Sequence, residues 1–257
     1  MSSFVYATDL HGNRDSYERL FQMEAEAVVL GGDLLPHTKG TLEERIRAQE
    51  DFARDYLAGR LASRPCYWIG GNDDWAVALT IVEKVGTPIH GRAVPFLDGF
   101  WVAGCAHVPV TPFGMKDHDR FDSEGWVPRR PPGRCLFSTP EGVVNGSLEA
   151  VRARGTIAGD LERLAAQSDP ARTVYVTHSP PWGTRLDRLY DGTPVGSRAI
   201  RAFIERHRPP LTLHGHVHES PGVDRVGMTV SVNPGDSLGG LRAVRVELGD
   251  LSVTPLR

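Results

Sequence analysis

Cysteine is scarce in this chain. The 257 residues hold three, Cys66, Cys105 and Cys135. Their number is odd, their spacing is wide and no CxxC occurs, so neither a disulfide framework nor a paired-cysteine metal site organises the fold. Cys66 and Cys105 lie in apolar runs and read as buried thiols, which suits a reducing compartment. A basic excess is also missing. Against 29 Lys and Arg stand 32 Asp and Glu, a net charge of −3. Nothing marks the chain for a nucleic-acid backbone, and specific nucleic-acid binding is not expected. No stretch approaches the ~20 apolar residues of a membrane span. The first residues lack a basic region followed by an apolar one, so no secretory leader is expected. A cytoplasmic protein away from membranes is the reading. No internal repeat, low-complexity tract or linker appears, and one domain over residues 1–257 is expected. At this length folding buries roughly 70–75% of the unfolded chain's surface, so a core forms without staples.

What the sequence does have is a series of short apolar runs, each cut off by glycine and polar residues. Residues 4–8 form a β-rich run that breaks at Asp9-Leu10-His11-Gly12-Asn13. Ala27-Val28-Val29-Leu30 ends in Gly31-Gly32-Asp33, and Cys66-Tyr67-Trp68-Ile69 ends in Gly70-Gly71-Asn72-Asp73-Asp74. Helical spacing fills the gaps, at 14–23 and most clearly at 41–62, where Thr41 and Glu44 make a capping box. Strands alternating with helices predict right-handed crossovers and a mostly parallel sheet. In such sheets ligands bind beyond the carboxyl ends of the strands.

Further on, a strand at 100–106 is followed by His107, and one at 173–177 by His178. The stretch 109–146 is rich in proline, glycine and charge, and reads as a loop insertion with no core of its own. Residues 147–167 return to a helical pattern, and Ser197 caps a helix that runs to about His207. The tail beyond Met228 has three β-like runs, with hairpins expected at Asn233-Pro234-Gly235 and Gly249-Asp250.

The most chemical stretch is Leu211-Thr212-Leu213-His214-Gly215-His216-Val217-His218. On an extended chain residues two apart point the same way, so His216 and His218 can aim at one place. Gly215 lets a bulky group approach the backbone. Taken alone, each of Asp9, His11, Asp33, Asn72, His178, His216 and His218 is an ordinary loop residue. Together they place ligand-type side chains after five separate apolar runs. Imidazole with carboxylate and amide oxygen suits Mn, Fe, Zn or a similar ion. Seven ligands exceed one tetrahedral ion and suit two ions sharing a carboxylate, the arrangement used for displacement at phosphorus.

The motifs Asp9-Leu10-His11-Gly12, Gly32-Asp33, Gly71-Asn72-Asp73, Thr177-His178 and Gly215-His216-Val217-His218 resemble, in order, those of the calcineurin-like metallophosphoesterase superfamily. The segment from His178-Ser179-Pro180-Pro181-Trp182 to His218-Glu219-Ser220 resembles a subgroup of small bacterial and archaeal phosphoesterases, and animal relatives with cyclic-nucleotide phosphodiesterase activity share it. The resemblance implies a four-layer α/β/β/α sandwich of two mixed sheets flanked by helices. It also implies two metal ions per chain, with Mn first and Fe, Zn, Ni or Mg as alternatives. Asp9, His11 and His218 would hold one ion and Asn72, His178 and His216 the other, with Asp33 bridging.

One position departs from the resemblance. Many relatives carry His after the Asn of the third motif, where this chain has Asp73. Asp73 is expected either to cap the helix that starts near Trp75 or to orient a ligand or a water. His107 and His118 are the candidates for the missing general acid. The expected activity is hydrolysis of a small or nucleotide-type phosphodiester by a hydroxide bridging the ions, with Asp33, Asn72, Asp73 and His107 as catalytic residues. The alternatives are a phosphomonoesterase or protein phosphatase of the same superfamily, and a metal-binding scaffold without catalysis. Arg129, Arg130 and Arg134 are candidates for a second phosphate, and Trp126 and Trp182 for a base. A small phosphate ester is the expected partner, and a homodimer is allowed.

Overall fold

A computed structural model describes residues 2–256. Two six-stranded mixed sheets pack face to face, with helices on both outer faces. In the first sheet β1 (Ser3–Ala7), β2 (Ala27–Gly31), β3 (Cys66–Ile69) and the short β4 (Thr87–Pro88) run parallel. An antiparallel pair, β15 (Ala243–Glu247) and β16 (Ser252–Leu256), extends it beyond β1. In the second sheet β6 (Trp101–Cys105), β11 (Thr173–Thr177), β12 (Leu211–Leu213) and β14 (Thr229–Asn233) run parallel. Its edges are the antiparallel β5 (Ala93–Pro95) and β13 (Gly222–Val226).

The period-2 alternation of β1 sorts its side chains between two cores. Phe4 and Tyr6 face the second sheet, where they meet Val102, Val174, Val176, Leu211 and Val232. Val5 and Ala7 face outward to Tyr17 and Leu20 of α1 (Arg14–Gln22) and Phe52 of α2 (Leu42–Phe52). On the other outer face Ala103, Cys105 and Tyr175 pack on α6 (Ile157–Ala165) and α7 (Arg198–His207). This is the four-layer sandwich. Because the strands are buried on both faces they read as unbroken apolar runs rather than as alternating ones. All three cysteines are buried and unpaired.

Several expected elements differ in detail. The helix over 41–62 keeps its capping box but passes through a π-helical turn, Ala53–Leu57, before α3 (Ala58–Ala62). The helix over 147–167 is two, α5 (Leu148–Ala153) and α6, because Gly155 takes a left-handed φ of 93° and Thr156 starts a new cap. Asn233-Pro234-Gly235 makes no hairpin, since β14 and β15 belong to different sheets and the chain crosses between them there. The insertion is not a bare loop. It holds a parallel pair, β7 (Val108–Pro109) with β8 (Asp119–Arg120), and a hairpin, β9 (Cys135–Thr139) with β10 (Gly142–Gly146). Val110, Phe121, Cys135, Phe137 and Val151 give it a small apolar cluster. Among the described residues no helix is long and apolar enough to cross a membrane.

Candidate metal centre

The loops after β1, β2, β3, β11 and β12 meet at one end of the sandwich. The backbone ladder between β1 and β2 continues past the strand ends, with N–H groups of Asp9, His11 and Gly12 donating to Gly32, Asp33 and Leu34 carbonyls at 2.9–3.0 Å. That continuation needs unusual dihedrals. Seven non-glycine residues among those described have positive φ, and four of them are Asp9 (52°), His11 (43°), Asp33 (51°) and His216 (66°). Left-handed backbone outside glycine costs on the order of 1–3 kcal/mol per residue and persists where surrounding structure enforces it. Its concentration on four candidate ligands marks this end of the molecule as the working one.

Glycines make the close approaches. A Cβ on Gly215 would lie 2.3 Å from Asp9 Oδ2, and one on Gly71 would lie 2.2 Å from Asp33 Oδ1. The groups that approach Gly215 are therefore the Thr8 hydroxyl, 2.1 Å from that Cβ position, and the carboxylate of the candidate ligand Asp9. The Asp9 carboxylate accepts from Thr8 Oγ1 at 2.7 Å and from the His216 N–H at 3.1 Å, which pins the histidine loop to β1.

Ligand-type atoms of Asp9, His11, Asp33 and His218 all lie within 4.8 Å of one another. His218 Nε2 is 3.1 Å from Asp9 Oδ1 and 3.5 Å from His11 Nε2, and His11 Nε2 is 4.0 Å from Asp33 Oδ2. A second group stands on the other side of the same oxygen. His178 Nε2 is 3.3 Å from Asp33 Oδ2 and 3.2 Å from Asn72 Oδ1. The His216 ring lies beside it, centroids 5.4 Å apart. Asp33 Oδ2 is thus common to both groups, while Oδ1 accepts the Asp73 N–H at 2.8 Å.

The donor chemistry fits divalent cations. His178 Nδ1 sits 2.8 Å from the Gly31 carbonyl and must carry its proton there. Asn72 turns its Nδ2 to Asp73 Oδ1, at 3.1 Å. Neutral Nε2 of His178, Oδ1 of Asn72 and Oδ2 of Asp33 then converge as three acceptors, which only a proton or a cation between them reconciles. In the metal-free protein protons do this. Burial works against a charged His178, but Asp33 and Asp9 outweigh it and push its pKa up to about 10. Burial likewise opposes charge on His218, and Asp9 raises it to about 9. Burial alone would raise the Asp33 carboxyl, yet His178 and His11 hold it well below the usual range.

The remaining expected residues divide. Asp73 does not cap the helix near Trp75. The first N–H groups of that helix, α4 (Ala76–Leu79), are taken by Asp117 Oδ2 and Ser138 Oγ from the insertion. Asp73 instead holds Asn72 through Oδ1 and faces His37 Nδ1 through Oδ2 at 3.3 Å. His107 is not brought to the centre. β6 lies beside the edge strand β5, so the end of β6 is off the midline where the ligands gather. There His107 packs on the His90 ring, with Nδ1 2.6 Å from Asp160 Oδ2, and lines a separate cavity of about 150 Å³. His118 is buried against Gly70, and burial with His90 and His107 nearby pushes its pKa well below the ordinary value, so it stays neutral. His214 is buried between Thr177 Oγ1 and Thr212 Oγ1, at 2.9 and 2.8 Å, and is structural.

A cavity of about 1210 Å³ opens over the centre, with Asp33, Asn72, His216 and His218 among its lining. The insertion supplies one wall, with Phe113, Trp126, Arg129, Arg130 and Arg134. The segment after β11 supplies another, where the Arg198 guanidinium stacks 3.9 Å from the Trp182 ring centre. His37 and Asp73 lie on the rim nearest Asn72. Sequence reasoning missed His37, Arg45 and Arg198. Only the nearness of His37 to Asp33 in the chain hinted at the first, and no spacing marks the two arginines.

The profile of the calcineurin-like phosphoesterase family matches residues 2–220. An uncharacterized protein of Methanocaldococcus jannaschii is 40% identical over 236 residues, covering 90% of this chain and 86% of its own length. The solved structure of TT1561 of Thermus thermophilus shares the fold at 17% identity, with a TM-score of 0.56 over 100% of this chain and 98% of that one. Another solved chain, also 17% identical, reaches a TM-score of 0.66 over 99% of this chain and 98% of its own.

Proposed function

The chain belongs to the calcineurin-like phosphoesterase family of metal-dependent phosphoester hydrolases, and from that premise we propose that it is a binuclear phosphodiesterase acting on a small, nucleotide-type substrate. The observation that carries the reading is the sharing of Asp33 Oδ2 between two groups of ligand atoms. Asp9, His11 and His218 would hold one ion, Asn72, His178 and His216 the other, and Asp33 both, with Mn the first candidate. Bound divalent ions would supply the charge that polarises a phosphoryl oxygen and lowers the pKa of a water toward ~7. Asp33, its other oxygen fixed by the Asp73 N–H, holds the spacing of the two groups. Asp73 keeps the Asn72 amide oxygen turned inward. Three unpaired buried cysteines support a reducing, cytoplasmic setting.

The cavity favours a substrate larger than a phosphoryl group, since drug-sized ligands occupy roughly 300–1,000 Å³. Arg45, Arg129, Arg130, Arg134 and Arg198 line it, and among the described residues none of their side chains has an ion-pair or hydrogen-bond partner. They suit a second anionic group. One face of Trp182 is already covered by Arg198, so Trp126 is the better base platform. A carboxylate, Asp73, stands where a cation would help a dianion, which favours a diester over a monoester. The test compares bis-p-nitrophenyl phosphate with p-nitrophenyl phosphate, using Mn-reconstituted protein and its Asp33→Asn variant. Diester preference in the wild type, with loss of both turnover and bound metal in the variant, is expected. A strong monoester preference would overturn the diester reading, and full metal content in the variant would overturn the shared carboxylate.

A further inference from the structure

We propose that His37, held by Asp73, is the general acid that protonates the leaving group. The proposal rests on the phosphoesterase reading of the metal centre and adds a residue to it. The chain carries Asp73 next to Asn72, and no imidazole adjoins the centre from that position. The structure supplies one from the neighbouring loop. His37 Nδ1 faces Asp73 Oδ2 at 3.3 Å, the only partner either nitrogen has among the described residues. Asp73 accepts the Nδ1 proton, which leaves Nε2 on the open edge. The His37 side chain is 56% exposed, and it lines the cavity that holds Asn72 and Asp33.

The pairing is built into the fold. Asp74, fully buried, accepts N–H groups of Leu34 and Leu35 at 3.1 and 2.8 Å and of Gly71 at 2.9 Å, which ties the two loops together. Gln49 Nε2 donates to the Pro36 and Asp73 carbonyls at 3.2 and 2.7 Å, and its Oε1 accepts the Trp75 N–H at 2.8 Å. The backbone on each side of the His37–Asp73 pair is therefore fixed by buried polar side chains. Asp73 meanwhile holds Asn72 through its other oxygen. One carboxylate thus connects a candidate metal ligand to an imidazole on the cavity rim. A buried histidine kept neutral, such as His118, could not serve. His37 is open to water and can be reloaded with a proton.

The step balances simply. Water supplies the hydroxyl that bonds to phosphorus and gives its proton to solvent. The bond from phosphorus to the leaving oxygen breaks, and that oxygen takes the Nε2 proton of His37. The imidazole is left neutral and regains a proton from solvent. An acid of this kind matters in proportion to how poor the leaving group is. General acid catalysis contributes typically 10²–10⁴-fold where protonation is needed.

The experiment uses Mn-loaded enzyme and two diesters of similar size and charge, bis-p-nitrophenyl phosphate and diphenyl phosphate. In His37→Gln, kcat/KM for diphenyl phosphate should fall ~10²-fold or more, well beyond the loss on the nitrophenyl ester. Metal per chain should match the wild type. In His37→Ala, added imidazole should restore part of the loss on diphenyl phosphate only. Asp73→Asn should show the same leaving-group dependence in weaker form. Equal losses on both esters would make His37 a structural residue and overturn the proposal, as would no loss on either. A wild type inactive on both esters would instead remove the phosphoesterase reading, and the role of His37 with it.

Discussion

Asp33 shows how much one residue's surroundings decide. Its carboxylate is buried beside the His11 and His178 rings, with one oxygen fixed by a backbone N–H and the other open to two ligand groups. In the metal-free protein the balancing charge is two protons, on His178 and His218, whose pKa values are pushed up to about 10 and about 9. Both are charged at neutral pH, and a metal bound through their Nε2 atoms displaces both protons. Loading the metal-free protein at pH 7.5 should therefore release at least two protons per chain, one from each ring, with any excess coming from metal-bound water, and metal affinity should rise with pH up to those values. Calorimetry in two buffers of different ionisation enthalpy reads the number directly. No release would remove these histidines from the ligand set. The candidate ligands stood out in the sequence because each follows an apolar run beside glycine. A shared Asp33 carboxylate was expected from the resemblance, but that His11 and His178 approach the same one of its oxygens was not legible, because it depends on side-chain rotation across two loops.

At the scale of an element, the insertion was the least legible part. Its composition says loop, yet it folds around a buried ion pair. Lys116 is fully buried, and its Nζ donates to Asp119 Oδ2 at 2.6 Å, to the Thr111 and Met115 carbonyls at 3.1 and 3.0 Å and to Thr111 Oγ1 at 3.0 Å. A lone lysine among prolines and glycines carries no periodic signal, so only the folded chain reveals it. Lys116→Met would leave the Asp119 carboxylate buried without its partner, at a cost of about 3–5 kcal/mol. Urea unfolding should show that loss, and hydrogen exchange should show it first in residues 108–139. Lys116→Met with Asp119→Leu should recover most of it. A single-variant cost under about 1 kcal/mol would mean that the pair does not hold the insertion. The core strands behave oppositely. β1, β2, β3 and β11 were readable from their apolar runs, since burial on both faces leaves a continuous signal.

Across the whole molecule, His214 links the site loop to the stability of the sandwich. It is fully buried, with its ring between two threonine hydroxyls, and burial holds its pKa down at about 3 against 6.5 when exposed. Between those values the unfolded chain binds a proton that the native state refuses, so stability rises with pH. Its contribution is complete above about pH 6.5 and declines below it by about 1.4 kcal/mol per pH unit for this one group. Urea titrations at pH 7, 6 and 5 should show the decline, and His214→Gln should flatten that part of the slope. An unchanged slope in the variant would assign the acid sensitivity to other groups. The same histidine sits in the most chemical stretch of the sequence, and only its place between the strands separates it from His216 and His218.

The order of apolar runs, and what stands after each, determined by themselves that this is a layered α/β protein with metal-ligand chemistry at one end. That much is local, because strand burial and strand-end glycines are written in consecutive residues. The tertiary structure decided the rest. It gathered five loops from two sheets around the Asp33 carboxylate, with the His11 and His178 rings on one of its oxygens, turned His107 away because its strand lies near a sheet edge, and set His37 against Asp73. These depend on which strands are neighbours and how two loops are tied together. No spacing along the chain encodes either.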